Sequence, residues 1–339
     1  MVISRVPFRV SFFGGGTDYP SWYRRFGGAV LSTTINKYCY LSVRKLPPFF
    51  DHSIRLAYSQ VEHCTNLDQI RHPAFREILR FHGIQQGIEA HYDSDLPARS
   101  GMGSSSAFAV ALLHALYAFR GKMVSHGELA TQAIHIEREV LGESVGSQDQ
   151  AAVAHGGLNH IRFETDDSIV VTPMILGRDV LRALNGHLML YFTGTIRFAS
   201  EIAKTYCADL GEKERNMRLL GDLVPTAIRA LEQQDLLEFG RLLHEGWRLK
   251  RSIATAISTN AIDEIYEAAI DAGALGGKIL GAGGGGFMLL FVPPERQPSV
   301  RERLKSLLLV PFEFESAGSQ VIYYDPENPG PDNAPAAIQ

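Results

Sequence analysis

The chain has 339 residues, more than one compact core usually takes, so two domains are expected. With 45% hydrophobic and 21% charged residues, a net charge of −4 and no basic block, it reads as a soluble globular protein and offers no footing for a nucleic-acid partner. Three widely separated cysteines, Cys39, Cys64 and Cys207, support neither a disulfide framework nor a zinc site, and no apolar run is long enough to span a bilayer.

The first residues carry no cleavable-signal pattern, so a reducing cytoplasm and no membrane partner are expected. Residues 5–13 alternate loosely and predict a strand that runs into the loop 14–20, with Gly14, Gly15, Gly16, Thr17 and Asp18 in sequence. A β-rich stretch covers 29–43, and Pro47-Pro48 ends it. A short strand at 54–58, a helix at 73–82 and a strand at 88–92 follow. Next comes the loop 97–106, with Gly101, Met102, Gly103 and three hydroxyls, Ser104, Ser105 and Ser106, just before the helix-former run 107–119. A loop that ends at a helix N-terminus is an anion site, most often for phosphate, and its hydroxyls can ligate a hard cation. Taken alone, a Ser-capped core helix explains the stretch equally well.

The helix expected over 127–141 has an apolar stripe of Ala130, Ala133, Ile134, Val140 and Leu141. Glu137 falls on that stripe, three or four residues from its neighbours, and a buried carboxylate usually meets a cation or a metal. Glu139 and Glu143 fall off it and read as solvated. Ser147 and Gln150 have capping-box spacing for a short helix that Gly156-Gly157 stops. Asp149 would sit in its first turn, a position the helix dipole favours without any catalytic role. Arg9, inside an apolar strand, wants a carboxylate partner. If that partner were Asp149, the pair would hold a ready proton acceptor.

Strands at 158–163 and 169–173 close the first half, and a composition shift near 184–186 marks the expected boundary. The second half predicts a buried strand at 187–192, helices at 198–209, 212–233, 236–252 and 261–272, a strand at 287–292, a helix at 297–308 and closing strands at 312–323. The tail 326–339, rich in Pro, Asn and Asp, predicts disorder. The glycine cluster 281–286 matches the dinucleotide fingerprint by letter, but a strand follows it where that fingerprint needs a helix. Lys278 does not make a phosphate-binding Walker loop, because Ile279 is neither Ser nor Thr. Four consecutive glycines, Gly283 to Gly286, exceed what a turn needs, so close approach to another backbone or to phosphate is expected.

Three segments in order, 9–19, 101–107 and 281–286, resemble the motifs of the GHMP kinase superfamily, and the likeness covers the chain apart from its tail. Within that superfamily the wording around 193–200 and 247–250 is most similar to the kinases of D-glycero-D-manno-heptose 7-phosphate. The resemblance implies an α+β, two-domain fold, with a ribosomal protein S5 domain 2-like N-terminal domain over 1–184 and a ferredoxin-like C-terminal domain over 185–325. It implies ATP and Mg²⁺ as cofactors, and transfer to the anomeric hydroxyl of a sugar phosphate, with a homodimer allowed. By matching residue, Gly101, Met102, Gly103, Ser104, Ser105 and Ser106 cradle ATP phosphates, and Gly283 and Gly284 line the site from the second domain. Ser105 and Glu137 hold Mg²⁺, Asp149 is the base, and Arg9 stands beside it. Thr17 and Asp18 face the sugar. The stretch from Glu137 to Asp149 is one residue longer than in mevalonate kinase. Gly15 and Gly16 replace the Glu and His that contact galactose in galactokinase, which argues against plain galactose. A substrate phosphate needs cations, and the candidates are Arg197, at a strand-to-helix turn, and Lys250, for which a solvated helix face is nearly as good a reading. The alternatives are a fucokinase-type sugar kinase and a catalytically silent sugar sensor on the same fold.

Overall fold

The computed structural model describes residues 1–98, 100–194, 210–253 and 257–325. The expected helix over 198–209, Arg197, Cys207 and the tail 326–339 lie outside the described residues. Cys39 and Cys64 are buried and free.

The first half is built on β1 (Val2–Phe13) and the 18-residue β2 (Gly28–Lys45), which pair antiparallel along nearly their whole length. Every residue of β1 from Val6 to Phe13 is buried. A strand covered on both faces has no need of strict alternation, which is why its period is loose in the sequence. β3 (Ile54–Ala57), β4 (Val61–Cys64) and β5 (Ile88–Ser94) extend the sheet in the order β1-β2-β5-β3-β4, with β3 and β5 parallel. β6 (Asn159–Phe163) pairs with β2, and β7 (Ile169–Pro173) with β6.

Three helices set the site against this sheet. α3 (Ser104–Phe119) packs on β1 and β2 with ten buried residues from Ser106 to Leu116. It begins three residues earlier than expected, so Ser104, Ser105 and Ser106 form its first turn. α4 (His126–His135) starts in a capping box, with Ser125 and Glu128 each bonding the other's backbone N–H. It then passes into a π turn, Ile136–Val140, where one uninterrupted α-helix was expected. α5 (Gln148–His155) follows.

The second sheet is antiparallel, in the order β11-β8-β10-β9, from β8 (Leu188–Phe192), β9 (Gly276–Ile279), β10 (Phe287–Phe291) and β11 (Leu308–Leu309). α7 (Leu210–Glu232) and α8 (Leu236–Ile253) pack on each other, and α8 lies on β9. α9 spans Asn260–Asp271. The helix expected over 297–308 stops at Arg303, and β11 takes its last residue, Leu308. β12 (Phe314–Glu315) and β13 (Gln320–Tyr324) return to the first sheet and pair with β2 and β1.

Five α-helices and strands among the described residues were not foreseen: α1 (Pro20–Phe26), β4, α6 (Arg178–Gly186), β9 and β11. α1 has clear signals in hindsight, with Pro20 at its start, Arg24 and Arg25 in its last turn and Gly27 beyond its end. α6 occupies the residues where the composition shifts. No helix among the described residues is long and apolar enough to cross a membrane.

Candidate active site

A cleft of about 350 Å³ opens between the two sheets. Arg9 and Ser11 of β1, Gly15, Gly16 and Asp18 of the first loop, and the N-terminus of α3 line it on one side. Lys250 of α8, Lys278 of β9, Gly281 and Ala282 line it from the second half.

The two glycine loops meet backbone to backbone. A Cβ at Gly101 would lie 2.3 Å from the Leu280 carbonyl oxygen, and one at Gly286 would lie 2.2 Å from that of Ser100. Of the two readings of the 281–286 cluster, approach to another backbone is the one observed. Gly283 and Gly284 pack on Ile257, whose carbonyl accepts the Gly284 N–H at 2.9 Å, so the expectation that they line the cleft is corrected to Gly281 and Ala282. Met102 anchors the loop between Gly101 and Gly103: its side chain is fully buried, and its carbonyl accepts the Arg9 N–H at 3.2 Å. Gly103, at φ 77°, caps α3 in the left-handed region, and a Cβ there would sit 3.2 Å from Arg9 Cγ and 3.5 Å from Asp149 Oδ2.

The partner that Arg9 needed is Asp149. Arg9 Nε donates to Asp149 Oδ1 at 2.7 Å and Nη2 donates to Oδ2 at 2.6 Å, a two-pronged fork. Its remaining arm, Nη1, donates to the Gly101 carbonyl at 2.5 Å and ties the pair to the loop.

The helix that carries Asp149 is not held by the expected capping box. Ser147 makes no cap bond, because its Oγ accepts from Arg138 Nη1 at 3.3 Å, and Gln150 turns instead to Glu137. Asp18 takes over the cap. Its Oδ2 accepts the Gln148 N–H at 3.3 Å, its Oδ1 accepts the Gly16 N–H at 2.9 Å, and its carbonyl accepts the Ser147 N–H at 3.0 Å. Burial pushes the Asp18 carboxyl up, against these N–H bonds. Only glycine fits at 146, where a Cβ would lie 1.8 Å from Asp18 Oδ2.

Glu137 sits on the π turn and is 1% exposed. Among the described residues no cation pairs with it. Ser105 Oγ donates to Oε1 at 2.6 Å, and Ser106 Oγ and Gln150 Nε2 donate to Oε2 at 2.8 and 2.5 Å. All three donors are neutral, and burial pushes the carboxyl up to about 7 despite them. Val140, expected on the same stripe, is 41% exposed, because the wider turn shifts the phase after Glu137. Ser105 and Glu137 offer a hydroxyl and a carboxylate, hard oxygen donors of the kind and number Mg²⁺ takes from a protein when phosphates and water supply the rest. Among the described residues no group of three or more His, Cys, Asp or Glu side chains could hold a metal.

On the side of the cleft formed by the second half, Lys250 is buried and faces inward, which overturns the solvated-face reading. Burial, then Arg9, brings its ammonium down to about 8, and its Nζ donates to the Gly281 carbonyl at 2.5 Å. Thr17 is not brought to the cleft. Its hydroxyl donates to the Gly14 and Ala29 carbonyls at 2.8 and 3.0 Å, and it lines a separate hollow with Trp22 and Gly221.

The cleft also takes residues that the sequence does not single out for it, among them Ser11, Gln148, Gln150 and Lys278. Ser11 Oγ donates to Gln148 Oε1 at 2.8 Å, which fixes the amide so that its Nε2 turns to the side where a Cβ on Gly15 would lie, 3.6 Å away.

Residues 69–157 match the family described as GHMP kinases N terminal domain, and residues 227–308 match GHMP kinases C terminal. The chain is 31% identical over 314 residues to D-glycero-alpha-D-manno-heptose 7-phosphate kinase of Campylobacter jejuni, covering 89% of this chain and 92% of that one. It superposes on a D-glycero-D-manno-heptose 1-phosphate kinase of Bacteroides thetaiotaomicron with a TM-score of 0.78 and 27% identity, covering 96% of this chain and 100% of the other. Lactococcus lactis galactokinase with bound galactose shares the fold, with a TM-score of 0.73 at 17% identity and coverage of 94% and 95%.

Proposed function

The chain belongs to the GHMP kinase superfamily, and from that premise we propose that it transfers the γ-phosphoryl group of ATP to the anomeric hydroxyl of D-glycero-D-manno-heptose 7-phosphate. The product is the 1,7-bisphosphate, a precursor of nucleotide-activated heptose for surface glycans made in the cytoplasm. The enzyme is a phosphotransferase with an alcohol acceptor. The observation that carries the reading is the Arg9–Asp149 fork set beside the N-terminus of α3, with Ser105 and Glu137 next to it.

The chemistry follows from these groups. The acceptor oxygen forms its bond to the γ-phosphorus as the bond to the bridging oxygen breaks, and ADP leaves. Asp149 takes the proton of the attacking hydroxyl, and Arg9 keeps the carboxylate aimed at it. The N-terminus of α3 and its hydroxyls bind the phosphates. Ser105 and Glu137 would hold Mg²⁺, which supplies positive charge against the charge that develops on the transferring group. A silent sensor would have no use for both carboxylates assembled in this way. The relatives named for heptose phosphates support the substrate. So do Gly15 and Gly16, which leave room beside Gln148 and Asp18.

ADP release measured over heptose 7-phosphate, free heptose, L-fucose and galactose tests the proposal. The 7-phosphate should be preferred over free heptose by at least about tenfold in kcat/KM, because one charge-assisted contact contributes about 1.5–3 kcal/mol. Equal use of free and phosphorylated heptose, or a preference for fucose, would sink it. ADP release with none of them would favour the sensor.

A further inference from the structure

Two buried lysines line the cleft, and neither forms an ion pair among the described residues. Lys250 and Lys278 are 6% and 7% exposed, and both line the cleft. Among the described residues each Nζ bonds only a neutral carbonyl, that of Gly281 at 2.5 Å and that of Phe12 at 2.9 Å. A buried ammonium is costly without an anion beside it. The carboxylates that face them are already engaged, Asp149 by the Arg9 fork and Asp18 by two backbone N–H groups.

We propose that Lys250 and Lys278 form one anion subsite that takes a phosphoryl group, at the acceptor end of the cleft. The position follows from β1. Lys278 holds the carbonyl of Phe12, three residues beyond Arg9 towards the 14–18 loop, whereas Ser105 and Glu137 lie with α3 on the nucleotide side. Burial, and then Lys250 and Arg9 nearby, brings the Lys278 ammonium well below the usual lysine range, and a bound dianion would restore its charge. Naming the ligand as the acceptor's own phosphate rests on the kinase reading; the presence of the subsite does not.

The full chain, saturated with Mg²⁺ and a non-hydrolysable ATP analogue, is titrated with inorganic phosphate by calorimetry. The wild type should bind phosphate, and Lys278→Met and Lys250→Met should each weaken it by at least about tenfold, the worth of one charge-assisted contact, with analogue affinity unchanged. If analogue affinity falls in both variants instead, the phosphoryl group bound is the nucleotide's, and the placement at the acceptor end is overturned. If phosphate and analogue both bind folded variants as they bind the wild type, or the wild type binds no phosphate while analogue affinity is unchanged in the variants, the subsite is refuted. Should Lys278→Met not fold, Lys250→Met gives the same readout. Phosphate binding without turnover of heptose 7-phosphate would retain the subsite and reject the substrate.

Discussion

Two carboxylates share the cleft and live in opposite surroundings. Asp149 has a resident cation, gripped by both prongs of Arg9, and its side chain is 25% exposed. Glu137 is fully buried among three neutral donors, has no cation, and is pushed up to about 7. The residue types are almost the same, so the neighbours decide the work. An aimed, partly open carboxylate suits proton transfer, and a buried one without a resident cation suits a cation that arrives with the substrate.

The largest effect should come from removing the proton acceptor. Asp149→Asn keeps the shape and loses the base, and turnover should fall by on the order of 10²–10⁴-fold while ATP binding is spared. Turnover close to wild type would leave Asp149 a positioning residue only.

Glu137→Gln should change how stability depends on pH. The folded carboxyl titrates near 7 and the unfolded one near 4.5, so the folded state holds the proton more tightly. Stability from this group is therefore full below pH 4.5 and is lost as pH rises to about 7. Denaturant melts should show the variant gaining on the wild type over that window by on the order of 3 kcal/mol, at about 1.4 kcal/mol per pH unit. Mg²⁺ should shrink the gap at pH 8. Parallel profiles would mean that Glu137 is not the strained member of the pair.

A smaller effect is expected on the acceptor side. Gln148→Leu removes one oriented amide next to Asp149, and KM for the sugar should rise a few-fold, for one neutral hydrogen bond of about 0.5–1.5 kcal/mol, with KM for ATP unchanged. A rise in KM for ATP instead would move Gln148 to the nucleotide side.

Much of this division was legible in the sequence, and for physical reasons. An arginine in an apolar strand has to find a carboxylate, and Arg9 does. A glutamate on an apolar stripe has to be buried, and Glu137 is, although the stripe breaks at a π turn that helical phase alone does not announce. What stayed hidden depended on distant contacts. Gly101 read as room for a ligand, yet it also makes room for the Leu280 carbonyl, and which backbone Gly286 would meet, that of Ser100, no local pattern could say. Ser147 and Gln150 spell a capping box, but Arg138 and Glu137 compete for them through space. Lys278 lies in Gly276–Ile279, a strand with weak local propensity, and nothing in its neighbours shows that the cleft passes over it.

The central claim is that the two carboxylates divide the chemistry, and a Mg²⁺ titration of turnover in Glu137→Gln and Asp149→Asn at fixed ATP tests it most directly. Glu137→Gln should recover most of its rate as Mg²⁺ rises, and Asp149→Asn should recover none. A Glu137→Gln defect that no Mg²⁺ concentration relieves, or an Asp149→Asn defect that Mg²⁺ does relieve, would contradict the account.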